Sequence, residues 1–280
     1  MEIVTTIEQC IQYLEGCARP LGLVPTMGAI HKGHKELIKA ASINDSTVIT
    51  SIFVNPLQFG PNEDLDNYPR RVDSDLEKLK DLEVDAVFLP SPEEIFPDNF
   101  STSINVGNIS NVLEGQSRPG HFAGVATIVC KLLLIINPHH AYFGEKDAQQ
   151  CLVIEKMVHD LNIKTKILKV PTVRETDGLA ISSRNMYLSK SERDSASIIY
   201  KSLSLARKLH SQGIKKTGFI KNSMAELINS VPFTKVDYIS IAKPHNLKEL
   251  DFIGCDALIS VAVVIGKTRL IDNIYLKSID

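Results

Sequence analysis

The chain has 280 residues, enough for one large domain or two modest ones at roughly 150 residues each. Its 31 basic and 33 acidic residues leave a formal net charge of −2, and 44% of the residues are hydrophobic. These values exclude a disordered chain and a strongly basic nucleic-acid binder, and no apolar run approaches the roughly 20 residues that cross a bilayer.

The N-terminus, MEIVTTIEQC, carries an acid at position 2 and lacks the apolar run of a secretory signal. Residues 22–25 continue an apolar run that stops at Thr26, and residues 31–41 turn helical, with Leu37, Ile38 and Ala41 at helix spacing. Residues 46–54 (STVITSIFV) are short and β-branched and read as a buried strand. Residues 70–82 form an amphipathic helix with charges on one face, and residues 85–89 (DAVFL) a third strand. Residues 90–120 are rich in Pro, Asn, Ser and Gly and are expected to be irregular, as lids and binding loops are. A buried helix follows over 122–137, then a strand at 140–143, a helix at 149–161 and a strand at 164–170. Strands alternating with helices imply an α/β fold with a parallel sheet.

After Pro171 the character changes. Residues 172–185 are polar, 189–210 are helical, and 215–231 contain another helix. Three strand candidates close the chain, at 236–242, 257–264 and 269–276. No crossover helix separates the last two, so they are expected to pair antiparallel. The expected organisation is a catalytic α/β domain over 1–173 and a smaller α+β domain over 174–280. Cys10, Cys17, Cys130, Cys151 and Cys255 are scattered, form no C-x-x-C pair, and suit free thiols in a reducing cytoplasm.

Four segments carry chemistry. The first, P-T-M-G-A-I-H-K-G-H over 25–34, lies where a strand hands over to a helix. His31 and His34 are three apart and share a helix face. Free backbone N–H groups and the helix dipole favour a phosphate there, and imidazole donors suit a phosphoryl group gaining charge. The bland reading is two surface or metal-site histidines, although zinc pairs more often stand four apart. The second, F-V-N-P-L-Q-F over 53–59, follows a strand and presents Asn55 and Gln58, neutral groups that could orient a hydroxy acid. It reads equally as a capped turn around Pro56. The third, F-G-E-K-D-A-Q-Q over 143–150, could supply a phosphate donor beside a ribose acceptor, or be a solvated capped turn. The fourth, residues 173–185 (VRETDGLAISSRN), could wrap a polyphosphate as a hinged clamp, or be a polar linker.

Taken in order, P-T-M-G-A-x-H-x-G-H, F-V-N-P-x-Q-F, R-P-G-H-F (118–122), F-G-E-K-D-x-Q-Q, D-G-L-A-x-S-S-R-N and R-L-I-D-N (269–273) closely resemble the pantoate–β-alanine ligase (pantothenate synthetase) family. The resemblance runs from about Leu23 to Leu276, and the H-x-G-H piece is similar to the wider nucleotidyltransferase superfamily. It implies a Rossmann-like nucleotidyltransferase domain that joins D-pantoate to β-alanine with ATP, through pantoyl-adenylate, releasing AMP and pyrophosphate, with Mg²⁺ accompanying the nucleotide. It implies an ATP site of Met27, Gly28, Ala29, Ile30, His31, Lys32, Gly33 and His34, completed by Gly144, Glu145, Lys146, Asp147, Val173, Ile181, Ser182, Ser183 and Arg184. His34, His31, Lys146 and Arg184 are the expected catalytic donors; Gln58 and Gln150, with Asn55, are expected at pantoate and β-alanine. The family also implies a cytoplasmic homodimer. Ile30, Ile181 and Ala148 depart from the family's common residues, the first two without loss of apolar character. Two rivals share part of the pattern. A simple nucleotidyltransferase would need a basic acceptor site, which the Asn55–Gln58 stretch lacks, and a nucleotide sensor would not need both histidines with the Ser-Ser-Arg loop.

Overall fold

The computed structural model describes residues 1–61 and 63–278. In chain order the regular elements are β1 (Glu2–Val4), α1 (Ile7–Glu15), β2 (Leu21–Thr26), α2 (Lys32–Asn44), β3 (Thr47–Ile52), α3 (Val72–Lys80) and β4 (Ala86–Phe88). Then come α4 (Pro92–Ile95), α5 (Glu114–Ser117), α6 (His121–Ile136), β5 (His140–Gly144), α7 (Ala148–Asp160) and β6 (Lys166–Val170). The last are α8 (Lys190–Ala196), α9 (Ile198–Ser211), α10 (Thr217–Asn229), β7 (Thr234–Ala242), β8 (Ala257–Ile265) and β9 (Thr268–Leu276). The chain forms two compact units: Met1–Glu145 with Gln149–Pro171, and Lys146–Ala148 with Thr172–Asp280.

The first unit holds a six-stranded sheet in the order β1-β4-β3-β2-β5-β6, every pair parallel. Alternation along each strand sorts side chains between two layers. Leu23, Ile49 and Phe88 join a core with the α6 residues Phe122, Ala126 and Leu133. Their neighbours Val24, Val48 and Val87 face a second core with Leu37 and Ile38 of α2 and Leu79 of α3. Strands buried on both faces explain why they read as continuous apolar runs. The order reverses between β2 and β5, which pair at Gly22–His140 and Leu23–Ala141. In such sheets ligands bind beyond the strands' carboxyl ends at that reversal.

The second unit packs Leu203 and Ala206 of α9 and Ile220 and Met224 of α10 on Ile259, Val261 and Val263 of β8. Its three strands pair antiparallel in the order β7-β8-β9. The expected architecture, a parallel α/β sheet followed by a smaller α+β part with an antiparallel sheet, is therefore present.

Several details differ from expectation. The β1 and α1 elements were not anticipated; β1 is three residues long and buries only Val4, too little for a periodic signal. The helical run over 189–210 is two helices, broken at Ser197. The stretch 90–120, expected to be irregular, contains α4, a 3₁₀ turn at Gly107–Ser110 and α5.

Candidate active site

The loop from β2 to α2 is organised by its own histidines and by α3. His31 is the N-cap of α2 rather than a helical residue. Its Nδ1 accepts from the His34 N–H, and His34 Nδ1 accepts from the His31 N–H, each at 3.4 Å. The rings stack with centroids 3.9 Å apart and planes 11° apart. With both Nδ1 atoms used as acceptors, the ring proton of each neutral histidine sits on Nε2. Burial of the His34 ring, with His31 and Lys78 as further causes, lowers its pKa to about 3, so His34 is a neutral donor at physiological pH.

The backbone N–H groups of the loop just before α2 are engaged within the protein. Asp75 of α3 is 1% exposed and its carboxylate accepts from the N–H groups of Ala29 at 2.7 Å and Ile30 at 2.8 Å. Lys78, one helical turn on, donates to the Ile30 carbonyl at 3.1 Å and lies 3.5 Å from Asp75. The Gly28 N–H goes to Thr26 Oγ1 at 3.2 Å. This clamp holds Ala29 in a left-handed conformation, φ 51°, which costs a non-glycine residue on the order of 1 kcal/mol or more. Ile30 is buried among Val24, Leu37 and Ile38.

The Asn55–Gln58 turn is a 3₁₀ turn over Pro56–Gln58. Asn55, 1% exposed, caps it by accepting from the Leu57 N–H at 3.2 Å. Its amide donates to Gln58 Oε1 at 3.0 Å and to the Gly124 carbonyl at 3.1 Å. Both amide hydrogens are therefore used inside the protein, and Asn55 builds the turn. A Cβ on Gly124 would stand 2.3 Å from the Leu57 carbonyl oxygen, so only glycine lets α6 approach this turn. Gln58 Nε2 reaches Met27 Sδ at 3.1 Å, joining the second segment to the first.

Arg118 and His121, of the R-P-G-H-F stretch, hold the turn from the other side. His121 Nδ1–H donates to the Gln58 carbonyl at 2.8 Å, and Arg118 Nη1 donates to His121 Nε2 at 3.0 Å. Arg118 also reaches the Gln58 carbonyl and pairs with Glu63. Burial, then the Arg118 charge, lowers the His121 pKa to about 4 and keeps the ring neutral. Burial pushes the Glu63 carboxyl up, but its bonds and charge interaction with Arg118 outweigh this and hold it low.

Gly144 ends β5, and Glu145–Asp147 form a 3₁₀ turn in which Lys146 Nζ donates to Asp147 Oδ1 at 3.2 Å. Gln150 is half-buried on α7. The strongest bonds there belong to Gln149, whose amide donates to the carbonyls of Ile109 and Val112. In the second unit, residues 173–181 fold into a small hairpin in which the Ile181 N–H reaches the Val173 carbonyl at 3.0 Å. Gly178, φ 93°, turns it, and a Cβ there would stand 2.1 Å from the Tyr200 ring. Ser182 caps the 3₁₀ turn Ser183–Tyr187 by accepting from the Arg184 N–H. Sequence reasoning missed Asp75, Lys78 and Glu63, and it quoted Arg118, His121 and Gln149 without a role.

Among the described residues no group of three His, Cys, Asp or Glu side chains could hold a metal ion, and no helix is long and apolar enough to cross a membrane. Four sequence segments thus fold into caps and turns whose side chains carry neutral imidazoles, amides and paired charges.

The sequence profile described as Pantoate-beta-alanine ligase matches residues 2–275. The chain is 49% identical over 258 residues to the pantothenate synthetase of Thermosipho africanus, covering 92% of each chain. It is 46% identical over 278 residues to that of a Roseiflexus species, covering 99% of this chain and 100% of the relative. Among solved structures it is similar to the pantothenate synthetase of Thermus thermophilus, with TM-score 0.94 and 42% identity over 98% of this chain and 99% of that one. It is also similar to the pantoate-β-alanine ligase of Francisella tularensis complexed with β,γ ATP and β-alanine, with TM-score 0.81 and 38% identity over 98% and 97%. A family match spanning nearly the whole chain, together with these relatives, shows that the protein is a ligase and belongs to the pantoate–β-alanine ligase family.

Proposed function

We propose that the enzyme joins D-pantoate to β-alanine in two steps driven by ATP. The pantoate carboxylate oxygen attacks the α-phosphorus, the bond to the β-phosphate oxygen breaks, and pyrophosphate leaves. The β-alanine amine then attacks the acyl carbon of pantoyl-adenylate, the C–O bond to AMP breaks, and the nitrogen gives up a proton. Adenylation is needed because a carboxylate is a poor electrophile, and no protein nucleophile takes part. The catalytic demand is charge stabilisation on phosphate and exclusion of water from the acyl-adenylate.

The observation that carries this reading is the reciprocal histidine cap, which locks two parallel rings as neutral Nε2–H donors at the mouth of β2. Rigid neutral donors stabilise a phosphoryl group that gains charge without forming a salt bridge to the ground state. Met27 through His34 take the nucleotide, with Gly144–Asp147, Val173 and Ile181–Arg184 completing its site and Lys146 and Arg184 meeting phosphate charge. Gln58 and Gln150 hold pantoate. Binding of β,γ ATP and β-alanine by the Francisella tularensis relative supports both substrates. Mg²⁺ enters with the nucleotide as part of the substrate. Arg118 at the Gln58 turn is neutralised by Glu63, which disfavours a phosphate-bearing acceptor. The same reading makes residues 1–173 the catalytic domain, residues 174–280 a lid, and the enzyme a cytoplasmic homodimer.

The test is exchange of labelled pyrophosphate into ATP with β-alanine absent. Exchange that requires pantoate is expected, and its absence overturns the adenylate route.

A further inference from the structure

The R-L-I-D-N stretch at 269–273 has no part in the reaction proposed for the enzyme, yet its last two residues hold a network within the second unit. Asp272, with a side chain 2% exposed, takes both arms of the Arg174 guanidinium, at 2.5 and 2.9 Å. Arg174 also donates to the Gly178 carbonyl at 3.1 Å and lies over the Tyr200 ring at 4.2 Å. The hairpin over 173–181 is thus fastened to β9. Asn273 is buried, and its backbone N–H donates to Asp272 Oδ1 at 2.8 Å while its carbonyl accepts from Arg174. Its side-chain amide then donates to the carbonyl oxygen of Lys146 at 2.8 Å.

We propose that Asn273 is a positioning residue for nucleotide activation, acting through Lys146. The inference rests on the assignment of Lys146 to the nucleotide. A peptide unit is planar, so a donor fixed on the Lys146 carbonyl fixes the plane between 146 and 147 and restrains the direction in which the Lys146 side chain leaves the backbone. The lysine stem is long and flexible, and an ammonium is useful on a phosphate only if its root is held. Through Arg174, the neighbouring Asp272 sets the strap that carries Ser182 and Arg184. One dipeptide on β9 therefore registers two separate groups of nucleotide donors against the same strand.

A double-mutant cycle tests this, read as kcat/KM for ATP in pantoate-dependent pyrophosphate exchange. Asn273→Ala is expected to lower it about 10- to 100-fold, the range set by a small misplacement of a catalytic group. In a Lys146→Ala background the same change is expected to cost less than about threefold, because the group it positions is gone. Asn273→Asp, which keeps the shape but turns the donor into an acceptor, serves if the alanine variant does not fold, and is expected to show the same dependence on Lys146. Equal losses in both backgrounds overturn the proposal and assign Asn273 a purely structural role. Wild-type exchange by Lys146→Ala alone overturns the assignment of Lys146 itself, and the two failures are told apart by that single variant.

Discussion

The loop between β2 and α2 and the strap over 173–185 are both proposed to meet the nucleotide, yet they are held by opposite means. The loop is held by buried acceptors on backbone N–H groups, with Asp75 on Ala29 and Ile30 and the two histidines capping each other. The strap is held by guanidinium–carboxylate pairs, Arg174 to Asp272 and Arg193 to Asp177. Backbone bonding to a buried acid leaves a loop few alternatives; of the strap's pairs, Arg174–Asp272 is buried on its acid side and only Arg193–Asp177 is partly exposed and able to open and reclose. The two segments thus differ in how the chain fixes them, one through backbone donors and the other through charged side chains.

That contrast can be broken at its rigid end first. His34→Ala is expected to reduce turnover by about 10²–10³, since a preorganised donor acts mainly in the transition state, with a fold kept intact but weakened by about 1 kcal/mol through loss of the acceptor for the His31 N–H. His34→Gln, whose amide nitrogen comes near the Nε2 position, should recover more activity than His34→Asn, and equal recovery by both would remove Nε2 as the donor. At the strap, Asp272→Ala leaves the Arg174 cation without its carboxylate and is expected to cost about 3 kcal/mol in urea unfolding. Arg174→Lys should rescue little, because one ammonium cannot span both oxygens. Asp75→Asn keeps the shape but confronts an N–H with an amide; a loss of about 2 kcal/mol is expected, with KM for ATP raised. An unchanged KM would free the loop from its dependence on α3.

Protonation sharpens the comparison further. His121 has a folded pKa of about 4 against an ordinary 6.5, so the unfolded chain takes up the proton first. Its contribution is fully present above pH 6.5 and is lost as pH falls toward 4, reaching about 1.4 kcal/mol at pH 5.5. The stability of His121→Asn, followed by urea unfolding from pH 7 to 5.5, should fall less steeply than that of the parent; an equal slope would place the proton uptake elsewhere. The smallest effect is at the half-exposed Arg193–Asp177 pair, where Asp177→Asn is expected to cost no more than about 0.5 kcal/mol, less in high salt. A larger, salt-independent loss would show that this pair is as fixed as the Asp75 clamp.

Local signals carried much of the reading. Strands buried on both faces, turn residues and strand-to-helix junctions are written in short windows, so the parallel sheet and the four segments could be placed. The same kind of signal was available for α1, where Thr6 and Gln9 form a capping box, and for Asp75, an acid one turn before Leu79 on the buried stripe of α3. Other partners left no such trace. Asp75 meets Ala29 across 46 residues, His121 meets Gln58 across 63, and Asn273 meets Lys146 across 127. Nothing in the spacing of a sequence specifies which distant carbonyl an amide will face.

By itself, then, the sequence determined the alternation of strands and helices from β2 onward in the parallel sheet, the closing antiparallel strands, the family, and the identity of the imidazoles, amides and cations proposed to act on substrate. The tertiary structure alone decided how those groups are presented: His31 as a cap, Asn55 as a builder of its turn, backbone donors already engaged by Asp75, and β9 as the anchor of strap and lysine. Periodicity and capping depend on neighbours within a turn or two of chain. Protonation state, donor direction and hydrogen-bond occupancy depend on groups brought close only when the chain has folded.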